Sequence, residues 1–356
     1  MFKKGLIVVV ILALVGLIFA WPKISLYLAS IKKSSNSQTA EFYFDASKGL
    51  DGLAQQLKEQ KIISDKDALL KVGEYKKLNA EKLASGKYLI AKGTEYKTLL
   101  NGFTKNSNGN GNAEVEVEVT FNNCRDVNQL AGKVGKNLMF DSSAIATLLN
   151  DPKTLTKYGF TKEQLPALFL PNTYKMFWDT EPETFLVRMA DEFKAFWTPE
   201  RKAKLAKICL KSPSEAVTLA SIVYSEQSKN AEEWPIIAGL YLNRINQGIR
   251  LQSDPTFKFC WGDELKGVQR LTYKHREIQC PYNTYYNDGL PPGPICIPPA
   301  AVVDAVLNRD DNKYIFMCAK PDYTGRHNFT VGYAEHAANA LKFQRWLTVE
   351  QGKSKM

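Results

Sequence analysis

Val115, Val117, Val119 and Phe121 alternate with Glu114, Glu116 and Glu118. A two-residue period of this kind predicts a strand with one face buried. Upstream, Glu41-Phe42-Tyr43-Phe44 reads as a short strand. Gly49 to Lys61 carries Leu50, Leu53, Ala54 and Leu57 at helical spacing, and a second helical segment runs around Asp67 to Tyr75. Gly86 to Ile90 returns to a strand pattern, and Tyr96, Leu99, Leu100 and Phe103 mark another helix. Together these make a small α+β module. The Asn- and Gly-rich run from Lys105 to Asn112 breaks it off from the rest of the chain. Helical segments are expected around Val127–Leu138, Ser142–Leu149 and Thr184–Ile208. Between Ser253 and Pro299, Gly, Pro, Asn and aromatic residues crowd into a loop-rich lobe, and a stretch of that kind usually builds a binding surface.

The chain opens on a different pattern. Lys3 and Lys4 precede an unbroken apolar run from Leu6 to Ala20, closed by Trp21. The run is short against the roughly 20 residues of a full span, but Ile24, Leu26 and Leu28 beyond it extend the apolar length. A cleaved signal peptide shares the same basic start and apolar core. Ile18-Phe19-Ala20 with Pro22 just beyond is a poor cleavage site, so an uncleaved anchor is the expectation. Nothing later is long and apolar enough to span. The resulting division is a cytoplasmic stub and transmembrane signal-anchor over 1–33, a polar linker over 34–40, the small module over 41–104, a second linker over 105–113, and a larger α+β domain over 114–350. The fold class expected is therefore α+β behind a single N-terminal transmembrane helix.

Composition narrows this little. A length of 356 residues suggests about two domains. With 44% hydrophobic and 24% charged residues the chain is an ordinary globular one. Its net charge of +10 suits an anionic partner: nucleic acid, a membrane surface or an acidic envelope polymer. None of the six cysteines forms a C-x-x-C pair, which argues against zinc and thioredoxin-like sites. In an oxidising compartment some of Cys260, Cys280, Cys296 and Cys318 are expected to pair, since they crowd the loop-rich lobe. Six cysteines nevertheless allow 15 connectivities.

The chemistry centres on one glutamate. Ser212-Pro213-Ser214-Glu215 opens a helix with a cap, a first-turn proline and an acidic third position. With Leu219 at zero on a wheel of about 100° per residue, Ile222, Val223 and Glu226 fall near −60°, +40° and −20°. Glu226 thus projects from the apolar stripe unless the helix has surfaced by that point. Loss of hydration there raises a carboxyl's pKa, and a carboxylic acid still protonated near neutral pH is what a general acid requires. The only histidines are His275, His327 and His336, with no metal-binding i, i+4 pair, and G-x-S-x-G and Walker-type loops are absent. His327 and His336 read as packed or surface residues. A carboxylate enzyme acting on a glycosidic bond fits best, with no metal and no cofactor.

The motifs around Glu226 resemble a known family. Leu219-Ala220-Ser221-Ile222-Val223-Tyr224-Ser225-Glu226 looks like the catalytic helix of the endolytic murein transglycosylases, the MltG or YceG-like family. In family order come Leu242-Asn243-Arg244-Ile245, Leu251-Gln252-Ser253-Asp254-Pro255-Thr256, Tyr282-Asn283-Thr284-Tyr285 and the segment Gly289 to Ile295, with Leu170-Pro171-Asn172-Thr173-Tyr174 upstream. The resemblance implies an inner-membrane protein with a LysM-like module at 41–104 and a periplasmic catalytic domain. Its activity would be to cut nascent peptidoglycan glycan strands internally between MurNAc and GlcNAc, leaving 1,6-anhydro-MurNAc ends and terminating elongation. It places the catalytic acid on Glu226. One departure is Tyr224, where many members carry a second Glu.

Substrate binding is expected of Asn243, Arg244, Gln252, Asp254, Asn283, Thr284 and Tyr285. Asn243 and Arg244 could equally tie a helix to a loop, and Asp254 could cap the segment after Pro255. The implied partners are glycan strands, the inner membrane through one helix, and peptidoglycan synthases of the elongation or division machinery. Nucleic acid is not among them. Two other functions remain open: a two-carboxylate hydrolase using Glu226 with Asp254, and an anchored, non-enzymatic glycan-binding scaffold.

Overall fold

The computed structural model describes residues 2–105, 113–265, 268 and 272–353, and of residues 2–14, 17, 113 and 353 it describes the backbone alone. The chain divides into two compact units. One is Met1–Val119 with Asn137–Phe140 and Tyr174–Thr180; the other is Thr120–Lys136 with Asp141–Thr173 and Glu181–Met356.

The first unit contains α1 (Phe2–Ser30), β1 (Ala40–Phe44), α2 (Gly49–Glu59), α3 (Lys66–Tyr75), β2 (Gly86–Ile90), α4 (Tyr96–Gly102), most of β3 (Ala113–Phe121) and most of β4 (Asn172–Phe177). The four strands form one sheet in the order β1-β2-β3-β4. β1 and β2 run antiparallel with Phe42 opposite Tyr88, and β2 pairs antiparallel with β3, Lys87 opposite Val115. Alternation places Phe42, Phe44, Tyr88 and Ile90 on the face that α2, α3 and α4 cover with Leu53, Leu57, Leu69, Val72, Leu99 and Leu100. Phe103 closes this core, meeting Phe42, Phe44 and Tyr88 edge-on with centroids 5.6, 5.7 and 4.5 Å away.

Two sequence expectations change here. The strand assigned to the start of the larger domain instead extends the module's sheet. The stretch 34–40 is also no free tether: Ser34 and Ser35 donate their backbone N–H groups to Thr94 and Ile62 carbonyls at 2.8 Å each. Ahead of it, Ala29 is buried in the module's core and Leu26 packs against it, so the end of α1 belongs to the module. Most of the expected linker over 105–113 lies outside the described residues. Among the described residues no helix is long and apolar enough to cross a membrane. The run Leu6–Ala20 expected to do so lies largely on positions whose side chains are outside the described set.

The second unit is mainly helical: α5 (Val127–Val134), α6 (Ser142–Asn150), α7 (Pro152–Tyr158), α8 (Pro182–Phe196), α9 (Pro199–Leu205), α10 (Pro213–Glu226), α11 (Trp234–Asn246), α12 (Asp254–Trp261), α13 (Tyr273–Arg276), α14 (Ala300–Leu307) and α15 (Tyr333–Lys353). A two-stranded antiparallel ribbon, β5 (Phe316–Ala319) with β6 (His327–Thr330), precedes α15. The single helical segment expected over 184–208 is in fact α8 and α9. Pro199 has no N–H to continue a helix, and the Thr198 hydroxyl caps a new one by accepting from Arg201 N at 3.3 Å.

Helix α10 runs through the middle of this unit. Every residue from Ala216 to Val223 is buried, with α11, α12 and α14 packed around it. Its start agrees closely with the sequence. Ser212 Oγ accepts from Glu215 N at 3.2 Å, while the Glu215 carboxylate takes the N–H of Lys211 at 2.6 Å. In the loop-rich lobe Cys260 and Cys280 form a disulfide, with Cα atoms 6.2 Å apart. Closing a loop of this length contributes about 3 kcal/mol by restricting the unfolded chain. Cys124, Cys209, Cys296 and Cys318 are free thiols.

Candidate active site

Glu226 is the last residue of α10, and Gln227 turns to an extended conformation (φ −139°, ψ 92°). Since Ala216–Val223 are buried all round, the helix has no polar edge in its middle, and it surfaces only where it ends. Its last side chain opens into a cavity of about 690 Å³. A volume of that size is typical of small-molecule sites. The walls bring together Tyr241 and Arg244 from α11, Gln252 and Asp254 from the turn into α12, Arg276 from α13, Tyr285, residues of β5, and His327 and His336.

Two hydroxyls grip one oxygen of the carboxyl group. Tyr241 Oη donates to Glu226 Oε1 at 2.8 Å, and Ser253 Oγ donates to the same atom at 2.5 Å. Among the described residues none donates to Oε2. Burial is the largest influence on Glu226 and pushes its pKa up; the bonds from Ser253 and Tyr241 pull it down, Asp254 adds to the rise, and His327 opposes it. The carbonyl end of α10 acts in the same direction as burial, because the helix dipole disfavours negative charge there. Burial also holds the Tyr241 hydroxyl well above its ordinary range, so it remains a donor. The result is a carboxyl group pushed toward its neutral form and held through one oxygen at the wall of the cavity.

Ser253 occupies the N-cap position of α12 but makes no capping bond. Its hydroxyl goes to Glu226 instead. The turn before it is strained: Gln252 adopts φ +53°, in the left-handed region that side chains other than glycine avoid. Thr284 holds this turn in place. Its carbonyl accepts from Gln252 N at 3.1 Å, and its hydroxyl accepts from Ser253 N at 3.0 Å and meets Thr256 Oγ1 at 2.9 Å.

The residues expected to bind substrate fall into two groups. Arg244, Gln252, Asp254 and Tyr285 line the cavity. The Arg244 guanidinium is buried and donates to the carbonyls of Arg250 (2.8 Å) and Ile315 (2.6 Å) and to Gln252 Oε1 (2.7 Å). Tyr285 Oη donates to Asp254 Oδ1 at 2.5 Å, and the same oxygen lies 3.4 Å from Arg276 Nη2. The Arg276 guanidinium sits 5.0 Å from the Tyr285 ring centroid, so one face of that ring already carries a cation.

Asn243, Asn283 and Thr284 spend their side chains inside the protein. Asn243 Nδ2 donates to the carbonyls of Asn312 and Tyr314 at 2.9 and 3.0 Å, which is the helix–loop tie left open by the sequence. Gly239, one turn earlier, lets that loop approach; a Cβ there would lie 2.4 Å from the Asp310 carbonyl oxygen. Asn283 is fully buried and donates to the Arg276 and Ile278 carbonyls at 2.8 and 2.9 Å. Asn283→Ala is therefore expected to lower stability by about 2 kcal/mol, the scale for leaving part-buried carbonyls without donors. Thermal unfolding checks this, and an unchanged melting temperature would contradict it.

Sequence reasoning missed Tyr241, Ser253 and Arg276, and set His327 aside as a packed or surface residue. Tyr224, where this chain departs from the motif it resembles, points elsewhere: its hydroxyl donates to Asn123 Oδ1 at 3.1 Å and its ring packs against Trp234. Among the described residues no group of three or more His, Cys, Asp or Glu side chains is placed to hold a metal ion.

The family model for the YceG-like proteins matches residues 42–342. The chain belongs to the YceG-like family. Among its relatives is the endolytic murein transglycosylase of Bacillus subtilis, 25% identical over 330 residues that cover 87% of this chain and 86% of that protein. An endolytic murein transglycosylase of Streptococcus pneumoniae is 25% identical over 263 residues, 66% of this chain but only 47% of the longer streptococcal protein. The fold of the YceG-like chain resembles a solved YceG-like protein from Listeria monocytogenes, with a TM-score of 0.54 at 20% identity over 85% of this chain and 99% of that one.

Proposed function

We propose that this chain is an endolytic murein transglycosylase, a lyase of peptidoglycan glycan strands, with Glu226 as its catalytic acid. The observation that carries the assignment is the setting of that carboxyl group: buried at the end of α10, pushed toward its neutral form, and held through one oxygen by Tyr241 and Ser253 at the wall of the cavity. The neutral acid donates its proton to the oxygen bridging MurNAc and GlcNAc as the bond from that oxygen to C1 breaks. The muramyl 6-hydroxyl closes on C1, and its proton is returned to the carboxylate. No water is consumed and no covalent glycosyl-enzyme is needed, so one residue serves as acid and then base. Arg244, Gln252, Asp254, Arg276 and Tyr285 form the wall that holds the strand. Asn243, Asn283 and Thr284 fix the loops carrying that wall.

Mass analysis of glycan products from the purified protein tests the reaction. Ends of 1,6-anhydro-MurNAc, lighter by one water than hydrolysed ends, are expected. Ordinary reducing MurNAc ends would replace this reading with the two-carboxylate hydrolase, with Asp254 as second acid. No cleavage at all would leave a glycan-binding scaffold.

The start of the chain is read as a single anchor in the cytoplasmic membrane, with the chain that follows it on the outer side. Supporting this, Ile18, Phe19 and Trp21 on α1 are 69%, 79% and 61% exposed, next to the apolar run Leu6–Ala20. There the enzyme would meet strands as the synthases extend them. A chain starting at Lys23 keeps Leu26 and Ala29 for the module core, whereas one starting after Lys33 loses them. The former is expected to fold and remain in the supernatant while the full chain sediments with membranes. Full-length protein that washes off membranes would sink the anchor.

A further inference from the structure

Gln227 directly succeeds Glu226 and is buried. Its side-chain amide donates to Glu233 Oε2 at 2.9 Å and to the Gly325 carbonyl at 2.8 Å, and its Oε1 accepts the N–H groups of Lys229 and Asn230 at 3.1 Å each. Glu233 accepts from the His327 backbone N–H at 2.8 Å on Oε1, and its Oε2 lies 2.8 Å from His327 Nδ1. Burial works against the Glu233 carboxylate, but the bonds from His327 and Gln227 outweigh it and bring its pKa below the usual value. An ionised carboxylate only accepts, so the ring proton facing it sits on Nδ1. In the neutral imidazole Nε2 then carries the lone pair. Among the described residues Nε2 has no protein partner, and the ring lines the same cavity as Glu226.

We propose that His327, oriented by Glu233, is a second acid–base residue of this cavity and takes the proton of the muramyl 6-hydroxyl. The inference rests on the transglycosylase reading and revises one step of it: the base that first takes the 6-hydroxyl proton is His327, and Glu226 recovers the proton from it. As Glu226 protonates the bridging oxygen and the C1–O bond breaks, O6 forms its bond to C1 and gives its proton to Nε2. The imidazolium, stabilised by Glu233, passes that proton to the Glu226 carboxylate. The cycle closes with acid and base both restored and nothing consumed but the glycan bond. This division suits the geometry. Glu226 Oε1 is already held by two hydroxyls, which leaves one oxygen for the leaving group, and the lone pair of His327 is available for the attacking one.

Two substitutions in the full chain separate this role from mere anchoring of β6. His327→Asn keeps a donor near the Nδ1 position for Glu233 but removes Nε2. His327→Ala leaves space that free imidazole can enter. The expected result is a fall in kcat of about 100-fold for both. KM on long glycan and the melting temperature of the Asn variant stay near wild type, and added imidazole restores part of the Ala variant's rate. If the Ala variant does not fold, the kcat-against-KM split of the Asn variant decides alone. Rates near wild type in either variant, or a loss that imidazole leaves unmoved in a folded Ala variant, would overturn the role of His327. Anhydro ends at an undiminished rate from the variants would defeat this inference alone, whereas reducing ends from the unaltered enzyme would defeat the reading beneath it.

Discussion

Glu226→Gln is expected to abolish cleavage and, at neutral and alkaline pH, to make the protein more stable. The amide keeps the shape of the side chain and can still accept from Tyr241 and Ser253. It cannot give up a proton. Loss of a general acid costs on the order of 10³-fold or more in rate, so product ends should fall to background. The stability effect comes from the direction of the pKa shift. The Glu226 carboxyl sits higher in the folded protein than in the unfolded chain. Its contribution to stability is therefore fully present below the unfolded value and is lost as pH rises through the folded value. Gln has no such loss. The variant's melting temperature should match wild type in acid, rise above it as pH passes the ordinary carboxylate range, and level off once the folded group is ionised. Residual cleavage near wild type would remove Glu226 from the mechanism; equal melting temperatures at every pH would show that the group is not desolvated.

Ser253→Ala and Tyr241→Phe should change the pH range of activity. Both hydroxyls donate to Oε1 and favour the ionised carboxylate, so removing either lets the pKa of Glu226 climb further. A hydrogen bond to a charged group contributes about 1.5–3 kcal/mol, and roughly 1.4 kcal/mol corresponds to one pH unit. The alkaline limb of kcat/KM, where the acid loses its proton, is expected to move upward by about one unit in each variant. The plateau rate should fall as well, because the carboxyl group loses an anchor. An alkaline limb that stays in place in both variants would mean that some other group sets it.

The legible parts of this molecule were those in which neighbours in sequence are neighbours in space. The alternation over Val115–Phe121, the spacing of Leu50, Leu53 and Leu57, and the cap at Ser212 each depend on a few adjacent residues. Glu226 was readable because a helix turns a local pattern into a direction, and because the surrounding motifs resemble a known family. Its partners were not. Tyr241 and Ser253 stand 15 and 27 positions away from it, and on their own helices they look like a core tyrosine and an ordinary N-cap. The single trace of Ser253's role is conformational: the residue before it is left-handed, and no amino-acid pattern at Gln252 announces that. Asn283 and Thr284 misled for a related reason. Amides and hydroxyls suit sugars, but they suit buried backbone equally well, and only the packing of 252–256 against 283–285 tells which claim prevails. The placement of β3 failed differently. Its alternation identified a strand, while the partner that decides which sheet receives it, β2, lies across a polar run of chain.

The Cys260–Cys280 bond fastens the helix that begins at Asp254 to the segment leading into Tyr285, two sources of the cavity wall. Ribosomes deliver this chain into a reducing cytosol, where such a bond does not persist. With the export proposed above, that wall relies on its hydrogen bonds and packing, without the covalent link, until the protein has crossed to the oxidising side. On that proposal maturation would be a matter of arrival: the loop-rich lobe would acquire its last restraint in the compartment where the proposed substrate lies.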